Sequence, residues 1–243
     1  MKLKFIIPVV GDYSNYSEEL AAYLKPHLMA ETELEFSSLQ YGFETVETEL
    51  AGMVNGSQVV MAVKDNGNFD GVFVDCFDDP GVYGLREMGR IPAVGPYEAA
   101  VTTALSLGER IGIITTDQAG ILNEEKKARN LGVSDRIVSI RALDLMVENI
   151  KGEKDTLLTG LADLCTEMAA QDRVSVICLG CTAMYYIYED LLQILADRKV
   201  CVNVIEPVRN GCVALESMVR MGYNNFIPGG VSFDTLHWTQ AER

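Results

Sequence analysis

Gly71-Val72-Phe73-Val74-Asp75-Cys76-Phe77-Asp78-Asp79-Pro80-Gly81 and Val174-Ser175-Val176-Ile177-Cys178-Leu179-Gly180-Cys181-Thr182-Ala183-Met184 follow one pattern. In each, a short apolar, β-branched run reaches a cysteine and then breaks into small or turn-forming residues. That is how a buried parallel strand delivers a thiol to its C-terminal end. Ligands of open α/β sheets collect outside the carboxyl ends of the strands. Cys76 and Cys181 are therefore the first candidates for chemistry.

Working outward, residues 3–9 read as a core strand, followed by the polar turn Gly11-Asp12-Tyr13-Ser14-Asn15. Residues 17–28 carry Leu20, Ala21, Leu24 and Leu28 on one helical face. Residues 33–39 read as a strand. Residues 44–62 read as a helix that Gly52 and Gly56 weaken by about 1 kcal/mol each relative to Ala. After the first cysteine strand come a short helix near 85–88, a strand over 92–94 and a helix over 97–107. The plan then restarts: strands over 110–115, 136–140, 174–178 and 200–205 alternate with helices over 119–130, 156–171, 182–196 and 208–220. Ile91-Pro92-Ala93-Val94-Gly95-Pro96-Tyr97-Glu98 also resembles Val202-Asn203-Val204-Ile205-Glu206-Pro207-Val208. Chains of this class reuse strand–turn–helix units, so such self-similarity can also arise by coincidence. Read as a duplication, it predicts an α/β fold of two pseudo-symmetric lobes, each a parallel sheet flanked by helices, with the active-site cleft between them. The N-terminal lobe takes residues 1–103 plus 208–243, the last helix returning to it, and the C-terminal lobe takes 104–207.

The 243 residues are 48% hydrophobic and 23% charged, ordinary for a globular protein. The formal net charge of -15 is not interrupted by any Lys/Arg cluster, and such a field repels both nucleic acid and anionic membranes as partners. The apolar run near the N-terminus is short for a signal peptide and contains Pro8, so it reads as a core strand. No stretch approaches the ~18 apolar residues of a membrane span. A cytoplasmic location is expected. Six cysteines at irregular spacings make no disulfide framework and read as thiols.

Inverting a carbon that bears an acidic proton takes a base on one face and an acid on the other. Thiols serve both roles, and free N–H groups at a following turn or helix start can stabilise a thiolate or an enolate oxygen. No metal or other cofactor is needed if the substrate's own carbonyls absorb the charge. The plainer reading of the same positions is that both thiols are core residues. Cys178 and Cys181 also form a Cys-x-x-Cys, but Cys178 sits inside the apolar run, and His27 and His237 lack ligand spacing, which argues against redox or zinc chemistry. Cys165, Cys201 and Cys212 read as packing. Glu98 and Glu206 sit at helix starts, where a carboxylate suits the helix dipole. Gly180 beside Cys181 reads as a position where the backbone approaches the ligand closely.

Cys76-Phe77-Asp78-Asp79-Pro80-Gly81, Pro92-Ala93-Val94-Gly95 with Glu98-Ala99-Ala100, and Leu179-Gly180-Cys181-Thr182-Ala183-Met184 resemble the hydantoin racemase family of the aspartate/glutamate racemase superfamily. Ile113-Ile114-Thr115-Thr116 resembles its second-lobe first strand. The resemblance covers residues 70–222. It implies cofactor-independent racemisation by a cysteine pair, Cys76 and Cys181, with ligand held near Phe77, Asp78, Thr115, Thr116, Gly180 and Thr182. It also implies a small-molecule substrate, a 5-substituted hydantoin or a related cyclic ureide such as allantoin, and a homo-oligomer. Alternatives are an aspartate/glutamate-type amino-acid racemase, an isomerase or decarboxylase of small dicarboxylates, or a binding module without turnover. Where the family carries Asn-Pro-Asn-Thr after its first strand, this chain has Pro8-Val9-Val10-Gly11-Asp12-Tyr13-Ser14. Asp12 and Tyr13 are thus expected to alter which substrate is held. The family's Thr-Ser-Lys ending is replaced by Pro228-Gly229-Gly230-Val231-Ser232-Phe233, and Asp75 stands where a small apolar residue is usual.

Overall fold

A computed structural model describes residues 1–64, 68–89, 91–144 and 154–225. Residues 228–233 and 237–238, read above, lie outside the described residues. In chain order the first elements are β1 (Lys2–Val10), α1 (Ser14–Leu24), β2 (Glu33–Leu39), α2 (Glu49–Lys64), β3 (Gly71–Val74), α3 (Val82–Glu87) and β4 (Ala93–Val94). They form one parallel sheet of order β2-β1-β3-β4. Then follow α4 (Pro96–Leu107), β5 (Ile111–Thr115), α5 (Gln118–Leu131), β6 (Ile137–Ala142), α6 (Lys154–Gln171), β7 (Val176–Leu179), α7 (Tyr188–Asp197), β8 (Asn203–Ile205) and α8 (Pro207–Arg220). The second sheet is also parallel and has the same order, β6-β5-β7-β8. This is the two-sheet α/β architecture expected from the repeated motif.

The chain divides into two compact units, Met1–Gly95 with Cys212–Arg243, and Pro96–Gly211. α8 therefore begins in the second unit and ends in the first. There Leu215 and Val219 lie against Gly71 of β3, where a Cβ would sit 2.8 Å from Leu215 Cδ1. Glu216, buried on the same helix, accepts hydrogen bonds from Met29 N–H at 3.0 Å and from the Thr32 hydroxyl at 2.5 Å.

Each central strand is apolar because it is covered on both faces. Leu3, Phe5, Ile6, Phe73 and Val74 are fully buried in the first unit, as are Ile111, Ile113, Ile114 and Ile177 in the second. The two-residue edge strand β4 has its Ala93 N–H taken by the Asn225 side chain at 2.7 Å, so little of that edge stays open to another chain. Among the described residues, no helix is long and apolar enough to cross a membrane.

Several boundaries differ from the sequence reading for local reasons. α1 starts at Ser14, inside the expected polar turn, because Asp12 Oδ1 accepts from the Ser14 N–H and hydroxyl at the helix entrance. α2 starts at Glu49 because the Thr48 hydroxyl accepts the Ala51 N–H, as an N-cap does. The stretch before it is held by Asn55, whose amide donates to the carbonyls of Pro8, Phe43 and Thr45 and accepts from Phe43 N–H. Gly56 does more than weaken that helix: a Cβ there would sit 3.0 Å from Gly81 N, so it permits α2 to lie on the Pro80-Gly81 turn. Residues 182–187 form a 3-10 helix before α7. β8 begins only at Asn203, which leaves Cys201 exposed and corrects its reading as a packing residue.

Cys165, Cys178 and Cys212 are fully buried. Burial pushes the Cys165 thiol up from 9.0 to about 12. It also pushes Cys178 upward, with a smaller push from the Glu124 carboxylate. Iodoacetamide at pH 8 should therefore label Cys201 in the native protein and leave Cys165 and Cys178 untouched, as peptide mass spectrometry would show. The unfolded chain releases these protons first, so stability should hold up to about pH 9 and fall as pH rises toward 12, measurable by urea melts across that range. Asn55→Ala removes four hydrogen bonds in a buried setting and should cost about 2–4 kcal/mol in the same melts.

Candidate active site

Both cysteines of the repeated motif lie just past the C-terminal end of a strand that pairs with the central strand of its own sheet. Cys76 follows β3 by two residues and Cys181 follows β7 by two; each is half-buried. Parallel strands require crossover connections, which return every strand in the same direction and collect these ends on one edge of the sheet.

In the first unit the β3 ladder continues to Asp75, whose N–H donates to the Ile6 carbonyl at 2.8 Å. The chain then folds into a tight turn in which Asp79 N–H donates to the Cys76 carbonyl at 2.9 Å and Asp78 N–H approaches Cys76 Sγ at 3.5 Å. Asp78 thus contributes a backbone donor to the thiol, the type of contact that stabilises a thiolate. Phe77 turns its ring into the core and is 3% exposed, so only its backbone is available to a ligand. Asp79 has a left-handed φ of 51° and lies against Gly95, where a Cβ would overlap its carboxylate. The separate motifs around Asp79 and Gly95 are in this way parts of one packed corner.

The altered turn after β1 stands at the same edge. Pro8 has no N–H to give a neighbouring strand, and the β1–β2 register shifts between Ile7 and Val10. Gly11 follows with φ 153°, and the Tyr13 ring lies over it; a Cβ at Gly11 would sit 2.8 Å from Tyr13 Cε2. The Ser14 hydroxyl and N–H hold the Asp12 carboxyl below the usual carboxylate range. Tyr13 is pushed up by burial and, secondarily, by the negative charge of Glu44. Tyr13 meets Tyr16 edge-on at 6.3 Å between ring centroids. The Tyr16 hydroxyl in turn donates to Asp75 Oδ2 at 2.7 Å. Asp12, Tyr13, Cys76, Phe77 and Asp78 are thus brought into one neighbourhood through Tyr16 and Asp75.

In the second unit Gly180 N–H donates to the Ile114 carbonyl at 2.8 Å, and a Cβ on Gly180 would sit 2.7 Å from that oxygen. Gly180 is in this way packed against strand β5, which requires a glycine there whatever else it approaches. Thr115 is buried with its hydroxyl against Gly120, while Thr116 beside it is half-buried. Asp117 caps α5 by accepting the Gly120 N–H at 2.7 Å. Cys181 has extended backbone and opens the 3-10 helix Thr182–Ile187, with Thr182 buried. Tyr186 on that helix has its phenol pushed up by burial and then by the neighbouring Cys181. Cys178 lies inside β7 with no exposed surface, and burial holds its thiol neutral, so the Cys-x-x-Cys has one inert member.

Glu206 is a buried cap: its two carboxylate oxygens accept the N–H groups of Val208 and Arg209, each at 2.7 Å, at the start of α8. That agrees with the helix-dipole reading. The sequence reading gave no role to Tyr16 or Tyr186. A signal existed for the first in the three-residue spacing from Tyr13, which places both rings on one helical face. A helix read from residue 17 leaves Tyr16 outside it, whereas α1 begins at Ser14.

Residues 14–215 match the family model described as Asp/Glu/Hydantoin racemase. A hydantoin racemase of Rhizobium meliloti is 27% identical over 154 residues, covering 63% of this chain and 62% of that protein, so less than two thirds of the relative's length is matched. The crystal structure of an allantoin racemase from Pseudomonas fluorescens has the same fold, with a TM-score of 0.88 at 22% identity over 99% of this chain and 100% of that one. An allantoin racemase from Klebsiella pneumoniae superposes with a TM-score of 0.86 at 22% identity, covering 100% of this chain and 97% of the other. The family match runs from α1 into α8 and includes both cysteine motifs, and the chain belongs to the Asp/Glu/hydantoin racemase family.

Proposed function

We propose that this protein is a cofactor-independent racemase of 5-substituted hydantoins or a related cyclic ureide such as allantoin, with Cys76 and Cys181 as the two acid–base groups. The observation that carries the reading is the repeated placement of one half-buried thiol beyond the matching strand of two sheets with the same strand order. One thiolate removes the proton at the stereocentre while the other thiol returns a proton to the opposite face. The mechanism requires both sulfurs to reach one carbon from opposite sides. Hydantoins suit it because the ring carbonyl bonded to the stereocentre takes up the developing negative charge as an enolate, which narrows the pKa gap a thiolate must bridge. Backbone donors such as the Asp78 N–H are placed to stabilise the thiolate form.

Charge at the β1 tip favours a neutral ring over the amino-acid substrates of the wider family. Asp12 is kept anionic by Ser14, and Glu44 acts on Tyr13 of the same turn. A dicarboxylate such as aspartate or glutamate would approach carboxylates there, whereas an uncharged ureide would not. The same proposal takes the enzyme as a cytoplasmic homo-oligomer. Its free thiols suit a reducing compartment, and the exposed Leu50 and Met53 on α2 supply apolar surface that an interface would bury.

Proton NMR in D2O on single enantiomers of a 5-substituted hydantoin, allantoin, aspartate and glutamate, read together with optical rotation, tests the assignment. Exchange of the stereocentre proton with racemisation is expected for the ureides above their spontaneous background. Cys76→Ala and Cys181→Ala should each lower it by about 100-fold or more. Turnover of aspartate or glutamate alone would move the chain to the amino-acid branch. Indifference to both substitutions would remove the two-thiol mechanism.

A further inference from the structure

Asn55 and Gly56 are neighbours on α2, and each closes on a different loop at the edge of the first sheet that carries Cys76. Asn55 is fully buried. Its Nδ2 donates to the carbonyls of Pro8, Phe43 and Thr45 at 2.9, 3.0 and 3.1 Å, and its Oδ1 accepts the Phe43 N–H at 2.8 Å. Pro8 and Val9 fall in the register shift between β1 and β2, which leaves the Pro8 carbonyl to the Asn55 amide. The Phe43 carbonyl also takes the Val10 N–H at 3.1 Å, so residues 43–45 join the tip of β1. A Cβ at Gly42 would overlap Asn55 Oδ1, so this loop is shaped around the amide. Gly56 stands about 100° further round the helix. There a Cβ would sit 3.0 Å from the Gly81 N and 3.4 Å from the Pro80 carbonyl carbon. Pro80 and Gly81 end the turn that begins at Cys76, where the Asp79 N–H donates to the Cys76 carbonyl at 2.9 Å. Pro8 stands two residues past Ile6, and Cys76 stands two residues past Val74, the partner of Ile6. One turn of α2 therefore holds both the thiol turn and the strand tip beside it.

We propose that Asn55 and Gly56 are positioning residues with separate tasks. Asn55 places the Gly11–Ser14 turn, into which the β1 tip runs, where it meets the substrate ring. Gly56 sets the depth of the Cys76 turn and so the place of the sulfur. This rests on the racemase reading above and assigns substrate binding and proton transfer to two neighbouring positions on one helix. Misplacing a reacting group by about 1 Å lowers a rate by about 100-fold at most sites built for close approach. A binding turn that loosens weakens the ground state and the transition state alike, which raises KM and leaves kcat. A displaced thiol lowers kcat instead. Neither residue is titratable or charged, so both effects are carried by geometry.

Steady-state racemisation of a 5-substituted hydantoin by Asn55→Ala and Gly56→Ala reads the division. Asn55→Ala should raise KM by about tenfold with kcat within about twofold, and Gly56→Ala should lower kcat by about tenfold with KM within about twofold. A loss of stability alone moves neither constant once the variant is folded at the assay temperature, which circular dichroism and urea melts establish. Asn55→Ser, which keeps a short hydroxyl donor, should give a smaller rise in KM, and it carries the test with Gly56→Ala if Asn55→Ala does not fold. Two measurements read the same division without substrate. Iodoacetamide labelling of Cys76 relative to Cys181 should shift by about threefold or more in Gly56→Ala and stay unchanged in the Asn55 variants. Hydrogen exchange of the peptide covering residues 9–16 should speed up in the Asn55 variants only. KM and kcat moving alike in both variants, or Cys76 labelling unchanged in a folded Gly56→Ala, overturns the proposal. Absence of racemisation by the unmodified protein would instead count against the function, and labelling and exchange would still decide which loop each residue places.

Discussion

Parallel pairing is the constraint on which the rest of the molecule depends. A parallel strand cannot be joined to its neighbour by a tight hairpin, so each β-strand must be followed by a crossover that carries the chain back to the start of the sheet. Every strand therefore points the same way, and every strand-to-helix turn emerges on one edge. Both sheets obey this with the same order around their central strands, β1 and β5. The functional side chains need no long-range design beyond it. A cysteine placed just after the third strand of either unit arrives at the edge where the turns expose backbone donors.

Close packing then sharpens those turns. Gly56 and Gly81 allow α2 to approach the first cysteine turn, Gly95 makes room for the Asp79 carboxylate, and Gly180 lets the second cysteine turn sit against β5. Each glycine is required by an atom that would collide with a Cβ. The result is two thiols whose immediate backbones are fixed by hydrogen bonds within their own units. Only Cys76 has a carboxylate as its direct chain neighbour. The two motifs are alike in plan and unlike in the charge of the residue before the cysteine.

Asn55 and Tyr16 do related work on different loops. Asn55 ties the loop after β2 to the end of β1, and Tyr16 ties the start of α1 to the end of β3. Between them lies the Gly11–Ser14 turn. The turn itself is held by the Ser14 N–H and hydroxyl on Asp12, by the Ser38 hydroxyl on the Gly11 carbonyl, and by the Tyr13 ring over Gly11.

Local sequence determined a large part of this. Alternation of β-branched runs with amphipathic segments fixed the class of fold, because period and burial leave few other ways to hide those faces. The repeated run into a cysteine located both thiols, since a strand end and a turn are local events. Tertiary structure decided what depends on neighbours distant in the chain. Cys201 looked like its buried counterparts and is exposed because β8 starts two residues later. The constraint on Gly180 from the Ile114 carbonyl is set by β5, a strand distant in the chain. Tyr16 and Asp75, 59 positions apart, form their bond only because β1 and β3 are paired and α1 rises from the end of β1. Hydrophobic period is written residue by residue, whereas the partner of a buried polar group is set by which strand lies next to which, and only the folded chain supplies that.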